Sequence, residues 1–217
     1  MTLELERYKL IIADMDGTLY YQKPVRAAMG LKLFCAVLKG GARGLKELVI
    51  IYRYRKIREE EDLKQDLICE RLAKRYGMSP GDVRKIAVRW LQEIPLSVLP
   101  AHRDRVLCEK LLDLKARGRD VAVYSDYPAS DKCRALGLSD IPSWHSDMAD
   151  IGEMKPSPKG IRYLMDRYGV TDPGEVLVIG DRESRDGGSA DAAGTDKLIL
   201  PRDKKMRTRL YGKLGLL

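Results

Sequence analysis

The chain of 217 residues is long enough to bury a full hydrophobic core, either as one large domain or as a domain with an insertion. Hydrophobic residues make up 44% and charged residues 33% of it, which excludes disordered and fibrous classes and favours a globular one. The formal net charge of +8 favours anionic partners, which could be nucleic acid, a membrane surface or a phosphorylated metabolite, and does not choose among them.

The spacing of the cysteines and the hydropathy of the sequence indicate in which cellular compartment the protein is located. The four cysteines lie far apart and include no C-x-x-C pair, which argues against a zinc site and for reduced thiols. No stretch approaches the length of a membrane span, and the acidic start lacks the basic flank and apolar core of a signal peptide. We therefore expect a cytoplasmic protein.

The first predicted element is a buried strand in residues 10–19, where an apolar run leads directly into Asp14 and Asp16. Two carboxylates one residue apart repel each other at the end of a buried strand unless a cation lies between them. Mg²⁺ is the natural candidate, because carboxylates, phosphate oxygens and water are its usual ligands. An Asp-Gly turn with both acids in solvent is the alternative, and this stretch alone supports the two interpretations equally.

Residues 25–95 carry helical spacing and no strand signal. The Gly40-Gly41 pair separates the first two predicted helices, and Gly77 is suited to cap the third at its C-terminus. A fourth helix is predicted to begin at Ser79-Pro80, with serine as the N-cap and proline in the first helical position. The block is therefore predicted to be an all-helical insertion after the first strand.

The rest of the chain alternates between helices and strands. Strands are predicted at residues 121–124, 176–179 and 198–200, with a short edge strand at 141–144. Alternation of this kind predicts a doubly wound parallel sheet. We therefore expect an α/β core formed by residues 1–22 and 98–217, interrupted by a helical domain at residues 23–97.

Polar residues follow three of the predicted strands. The first strand leads into Asp14 and Asp16, the second ends at Ser125, and the third is followed by Asp181 and then Asp186. Lys155 lies between the last two strands, in a loop stiffened by prolines. Parallel strands point their carboxyl ends to the same edge, so we expect these groups to converge in one crevice. A lysine and a hydroxyl suit phosphate oxygens, and carboxylates suit a cation.

Taken singly, these residues have ordinary structural explanations. Ser125 is then better explained as a cap for the following segment, Lys155 as a solvated loop lysine, and Asp181 as a turn residue. Four motifs in order are more specific, and they resemble those of the haloacid dehalogenase-like (HAD) hydrolase superfamily. The motifs are D-x-D-G-T at residues 14–18, an apolar strand ending in serine at 121–125, Lys155-Pro156, and G-D-x-x-x-x-D at 180–186. The resemblance implies a HAD-like Rossmannoid core, and the helical insertion is similar to the family's C1 cap domain.

The resemblance also implies a role for each motif residue. Asp14 would attack phosphorus and form an aspartyl-phosphate, and Asp16 would protonate the leaving oxygen and later activate water. Ser125 and Lys155 would bind the transferring phosphoryl oxygens. Mg²⁺ would be held by the Asp14 carboxylate, the Asp16 main-chain carbonyl and Asp181.

Two further implications concern Asp186 and Asp16. Asp186 would either complete the outer shell of the metal or orient Lys155, and the sequence does not decide between these roles. Members of the superfamily that cleave carbon–halogen bonds lack the second aspartate of the first motif, because a halide leaving group needs no proton. The presence of Asp16 therefore favours an enzyme that acts on phosphate esters over a dehalogenase. The resemblance as a whole implies a Mg²⁺-dependent phosphatase acting on a phosphate monoester of a small metabolite. The alternatives are a phosphomutase with the same intermediate and, from another class, a non-catalytic adaptor that binds anionic surfaces.

Two basic clusters contribute to the net charge, one at residues 53–58 in the helical insertion and one at residues 202–213. A solvated basic face is the default interpretation of both. Attraction of nucleic acid is less favoured, as is docking to anionic lipid through the apolar stretches at residues 31–38 and 214–217. The sequence predicts neither the identity of the substrate nor the oligomeric state.

Overall fold

The computed structural model describes residues 4–61 and 63–216, without the side chain of Glu59. The chain divides into two compact units, one formed by the residues up to Gln22 together with those from Pro100 onward, and the other by Lys23–Leu99. Leu217, with which the predicted terminal apolar stretch ends, lies outside the described residues, as do residues 1–3 of the predicted core.

A five-stranded sheet forms the centre of the first unit. Its strands are Leu10–Ala13 (β1), Asp120–Ser125 (β2), Ser143–His145 (β3), Val176–Gly180 (β4) and Asp196–Ile199 (β5). The order across the sheet is β3-β2-β1-β4-β5, and every neighbouring pair is parallel. Strands β2 and β3 lie on one side of β1, and β4 and β5, which come later in the chain, lie on the other side. The prediction of a doubly wound parallel sheet is therefore confirmed.

The central strands are apolar because helices cover the sheet. The helices of this unit are Arg105–Ala116 (α6), Ser130–Ala135 (α7), Lys159–Tyr168 (α8), Gly188–Ala193 (α9) and Lys204–Leu214 (α10). All four residues of β1 are buried. Side chains alternate along a strand, and Leu10 and Ile12 pack in one cluster with Ile161 and Leu164 of α8 and Ala190 of α9.

Two predicted strands are displaced along the sequence. The strand predicted at residues 141–144 is Ser143–His145, and the one predicted at 198–200 is Asp196–Ile199. Each is an edge strand that pairs with a single neighbour. An edge strand tolerates polar residues such as Asp196 and Lys197, which a search for apolar runs does not detect.

The second unit is all helical in its described residues. Its helices are Gln22–Gly40 (α1), Ala42–Glu61 (α2), Gln65–Tyr76 (α3), Pro80–Val88 (α4) and Ile94–Leu96 (α5), with a π-helical turn at Arg89–Glu93 before α5. The predicted caps are confirmed, because Gly77 ends α3 with a left-handed φ of 59° and Ser79 accepts the N–H of Asp82 at the start of α4. None of the described helices in either unit combines the length and the apolar character that crossing a lipid bilayer requires.

The basic segment at residues 202–213 is largely helix α10 rather than an irregular tail. Its N-cap is Asp203, whose side chain accepts the N–H of Met206 at 3.0 Å. The prediction of a solvated basic face is wrong for Arg207, which is fully buried. A buried guanidinium is tolerated where it is well hydrogen-bonded, and each of the three nitrogens of Arg207 donates to an acceptor.

Arg207 joins α10 to the loop after β1. It donates to the carbonyl oxygens of Gly17 at 2.7 Å and Thr18 at 2.9 Å, and to the carboxylate of Asp104 at 3.0 Å. The Tyr211 hydroxyl donates to the same Asp104 oxygen at 2.8 Å. The C-terminal helix therefore holds the backbone of the first motif in place.

We expect Arg207→Leu to lower the free energy of unfolding by about 3–5 kcal/mol, because it leaves the buried Asp104 carboxylate without its cation. Urea unfolding followed by circular dichroism measures the change. Arg209→Leu on the exposed face of the same helix is the matched control and should change stability by less than about 0.5 kcal/mol. Equal losses in the two variants would contradict this account of α10.

Candidate active site

The carboxyl ends of β1, β2 and β4 bring three of the predicted site residues to one edge of the sheet. Asp14 follows β1, Ser125 is the last residue of β2, and Asp181 follows β4. The strands are in register, since Ala13 is paired with both Val123 and Ile179. Parallel pairing therefore places these residues on the side of the sheet where open α/β folds bind ligands.

Lys155 lies between two buried carboxylates. Its ammonium nitrogen is 2.5 Å from Asp14 Oδ1 and 2.7 Å from Asp186 Oδ1, and it also donates to the carbonyl of Tyr124 at 3.2 Å. The lysine side chain is only 3% exposed. Of the two roles left open for Asp186, this contact places it where it can orient Lys155 directly.

Backbone hydrogen bonds fix the positions of Lys155 and Asp186. The N–H of Lys155 donates to Asp126 Oδ1 at 3.0 Å. Asp186 Oδ2 accepts the N–H groups of Asp181 at 3.2 Å and Arg182 at 3.1 Å. Both oxygens of Asp186 are thus engaged, one by the lysine and one by the start of the loop after β4.

Burial and neighbouring charges shift the pKa values of Asp14, Asp181 and Lys155. Burial raises the pKa of Asp14 to about 7, and the charge of Asp186 adds to the effect while Lys155 opposes it. Burial also raises the pKa of Asp181, although Arg202 opposes it. Burial acts to lower the pKa of Lys155, but the neighbouring carboxylates of Asp14 and Asp186 outweigh it and raise that pKa. Lys155 therefore stays charged, and it can neutralise only one of the two carboxylates that it contacts.

The donor set fits a magnesium ion. Asp14, Asp181 and Asp186 each offer a carboxylate oxygen, and these atoms lie within 4.8 Å of one another. Asp181 Oδ1 is buried and accepts no hydrogen bond from the described residues. A hard divalent cation binds oxygen ligands, and it would also provide a partner for the buried Asp181 oxygen.

Gly17 allows Asp181 to approach the first motif. Its φ is +99°, and a Cβ at this position would lie 2.7 Å from Asp181 Oδ2. Any other residue would meet both a strained backbone and a clash with this carboxylate. The glycine of D-x-D-G-T is therefore required for the close approach of Asp181.

The Asp16 carboxylate is not part of the three-acid group. Its Oδ1 accepts from Lys132 Nζ at 2.6 Å and from the Tyr20 hydroxyl at 2.5 Å. Burial acts to raise the pKa of Asp16, but Lys132 and Tyr20 bring it below its ordinary value. The side chain is held as an anion that can accept a proton, and a metal contact through its main-chain carbonyl stays a prediction.

Ser125 lies at the same edge of the sheet but makes a local contact. Its Oγ accepts the N–H of Tyr127 at 3.2 Å. Within the described chain it makes no hydrogen bond to Asp14 or Lys155. This is the local cap that the residue taken alone suggests. The hydroxyl hydrogen is not used in the Tyr127 contact, so the geometry is also compatible with donation to a phosphoryl oxygen.

Two basic residues near the site were not found from the sequence. Lys132 is on α7 with its side chain 9% exposed, and Arg202 Nε donates to Asp181 Oδ2 at 2.8 Å. Arg202 belongs to the predicted solvated basic face, and its side chain is 55% exposed, but it also forms an ion pair with the buried carboxylate of Asp181. Neither residue has a sequence signal, because surface lysines and arginines are common and their partners lie 116 and 21 residues away along the chain.

The raised pKa of Asp14 predicts how stability depends on pH. In metal-free buffer, we expect the free energy of unfolding of the parent protein, relative to Asp14→Asn, to fall as the pH rises from about 4 to about 7. In this window the folded protein keeps the Asp14 proton that the unfolded chain has released, so rising pH favours unfolding. Urea unfolding of both proteins in EDTA, at about pH 5 and about pH 8, measures the difference. Parallel pH profiles would contradict the prediction.

A family model described as haloacid dehalogenase-like hydrolase matches residues 8–194 of the chain. No curated protein matches the chain. Among solved structures, the orthorhombic form of the HAD-hydrolase YfnB from Bacillus subtilis bound to magnesium is similar at a TM-score of 0.65 and 20% identity. The similarity covers 96% of this chain and 99% of that one.

Two other similar structures have different described activities. The 2-haloacid dehalogenase from Pseudomonas syringae pv. tomato DC3000 has a TM-score of 0.63 and 19% identity, over 89% of this chain and 86% of that one. A predicted phosphoglycolate phosphatase from Haemophilus somnus 129PT has a TM-score of 0.54 and 22% identity, over 89% and 85%. At these identities the likeness shows a shared fold and does not choose between the activities.

Proposed function

Because the chain belongs to the haloacid dehalogenase-like hydrolase family, we propose that it is a Mg²⁺-dependent phosphatase that hydrolyses a phosphate monoester of a small metabolite. The observation that carries the proposal is the buried Lys155 ammonium, which bridges Asp14 and Asp186 beside a third carboxylate. An ammonium and a metal-binding acid group around one nucleophilic carboxylate suit a phosphoryl group.

Asp14 is the proposed nucleophile. Its Oδ1 contacts Lys155, and its Oδ2 accepts from the Thr18 hydroxyl at 3.0 Å, so the carboxylate is held in one orientation. Its attack on phosphorus forms an aspartyl-phosphate and releases the ester oxygen. Lys155, and Ser125 through its hydroxyl, then bind oxygens of the transferring group, where fixed positive charge and donors are most effective.

Asp16 is the proposed acid and base. In the first step its protonated carboxyl gives a proton to the leaving oxygen, and in the second the carboxylate takes a proton from the water that attacks the phosphorus. The second step regenerates the proton that the next turnover consumes. Lys132 and Tyr20 favour the anionic form of Asp16, which is the form that acts as the base in the second step. A halide leaving group would need no such residue.

The metal is assigned to Asp14, Asp181 and the main-chain carbonyl of Asp16. When bound, Mg²⁺ offsets the negative charge that accumulates when a phosphate approaches a carboxylate nucleophile. The Asp181 oxygen that lacks a hydrogen-bond partner among the described residues, and the excess of carboxylates over the Lys155 charge, support this assignment.

The helical domain predicted at residues 23–97 is proposed to be a C1-type cap whose side chains select the substrate. Its all-helical composition supports this assignment. A cytoplasmic location is proposed from the cysteines, which are all free, with three of the four buried.

Hydrolysis of an aryl phosphate with and without Mg²⁺ tests the proposed activity. We expect metal-dependent release of phosphate, and a loss on the order of 10⁴-fold in kcat for Asp14→Asn, because the substitution removes the nucleophile. Release of phosphate that is unchanged in Asp14→Asn would overturn the proposal. Transfer of the phosphoryl group to a sugar instead of water would identify a phosphomutase.

Thermal unfolding separates metal binding from chemistry. We expect Mg²⁺ to raise the unfolding temperature of the parent protein, with a stabilisation of about 2.7 kcal/mol at a hundredfold excess over Kd. Asp181→Asn should lose this response, whereas Lys85→Ala on α4 should retain it. Binding of anionic surfaces by a protein that neither turns over substrates nor responds to Mg²⁺ would favour a non-catalytic adaptor.

A further inference from the structure

One segment of the chain has a one-sided charge. Between Asp16 and Glu47 the sequence contains six cations and no acid, over the whole of α1 and the start of α2. The cations are Lys23, Arg26, Lys32, Lys39, Arg43 and Lys46. In the described chain, none of the four that lie on α1 has an acid within ion-pair distance. Helix α1 therefore presents positive charge that no acid among the described residues neutralises, whereas Arg43 at the start of α2 lies 3.7 Å from Glu47.

Helix α1 also presents an apolar face to solvent. Leu31, Phe34 and Leu38 are 64%, 59% and 68% exposed, and their spacing of three and four residues puts them on one side of the helix. We refer to these three residues as the apolar stripe. Val25 is the only described residue of α1 that is fully buried, so this helix contributes little to the core of its unit. Exposed apolar residues in a contiguous row indicate a surface that binds something.

A basic cavity adjoins the next face of α1. It has a volume of about 460 Å³, and its lining includes Lys32, Lys39 and Arg89. Among the described residues that line it, Glu47 is the single acid, and it is already bonded by Trp90 Nε1 at 2.8 Å and lies 3.5 Å from Arg89. Lys32 and Lys39 are thus left to face an anion from outside the protein.

We propose that α1 docks on a bilayer of anionic phospholipid, with the apolar stripe inserted at the level of the acyl boundary and the cations at the head groups. An interfacial helix combines an apolar face with lysine and arginine beside it, as α1 does. The basic cavity is suited to the phosphate of an anionic head group. None of the residues involved belongs to the four motifs, so the inference is independent of the proposed activity.

Two other occupants fit this face less well than an anionic bilayer. A second copy of the chain would bring six cations against six, and like charges across an interface oppose association. Single-stranded nucleic acid binds where aromatic side chains stack on bases, whereas two of the three residues of the stripe are leucines. An anionic lipid surface satisfies both the apolar and the basic parts of the face.

Co-sedimentation of the 217-residue chain with lipid vesicles tests the proposal. We expect binding to vesicles that contain phosphatidylglycerol and none to vesicles of phosphatidylcholine alone. Phe34→Ser should weaken the partition at least tenfold. Leu67→Ser is the matched control, because Leu67 on α3 is 51% exposed and lies outside the stripe. It should bind as the parent does.

A charge series tests the electrostatic part. Lys32→Ala with Lys39→Ala should weaken the partition by about thirtyfold, the equivalent of about 1 kcal/mol for each cation removed. Lys74→Ala with Lys85→Ala changes the net charge equally, at exposed positions on α3 and α4, and should have little effect. The proposal is overturned by equal binding to both kinds of vesicle, by no binding to either, by equal losses in the two double variants, or by a dimer that Phe34→Ser dissociates.

Discussion

The structure depends on one buried interaction, the Lys155 ammonium held between the carboxylates of Asp14 and Asp186. Taking charges out of water costs several kcal/mol for each ion, and only close geometry with full hydrogen bonding offsets this. The three residues come from the end of β1, from a loop, and from the turn that follows β4. The order and register of the central strands are what bring both carboxylates within 2.7 Å of the Lys155 ammonium nitrogen. The carboxylate of Asp181 lies beside them, and this group of three acids supports the proposed cation site.

Close packing around these charges explains why glycines stand in two motifs. A Cβ on Gly17 would collide with the Asp181 carboxylate, and one on Gly180 would lie 2.3 Å from the Cβ of Asp186. Both glycines therefore admit an acid to the cluster rather than provide flexibility. Arg207 completes the arrangement from the other side, since it binds the carbonyls of Gly17 and Thr18.

The central strands and the motif residues could be predicted, because apolar runs that end in polar residues are visible in a single sequence. The basic partners could not be, since Lys132 meets Asp16 and Arg207 meets Asp104 across separations of more than a hundred residues. Because a lysine or arginine is most often solvated, the basic segment at residues 202–213 is predicted to be a solvated face, and nothing in the sequence marks Lys132. For the same reason, the sequence does not distinguish the buried Arg207 from the lysines of α1, which have no ion pair among the described residues. The burial of a lysine or arginine side chain depends on tertiary packing and cannot be predicted from a local sequence pattern.

The most direct test of the account is to identify the atom that receives the phosphoryl group. The protein is mixed with substrate and Mg²⁺, quenched during the first turnover, and reduced with borohydride, which converts an aspartyl-phosphate to homoserine. Peptide mass spectrometry then locates the change. The account predicts conversion at residue 14 and at no other acid. Conversion elsewhere, or turnover without any conversion, would contradict the claim that Asp14 is the nucleophile.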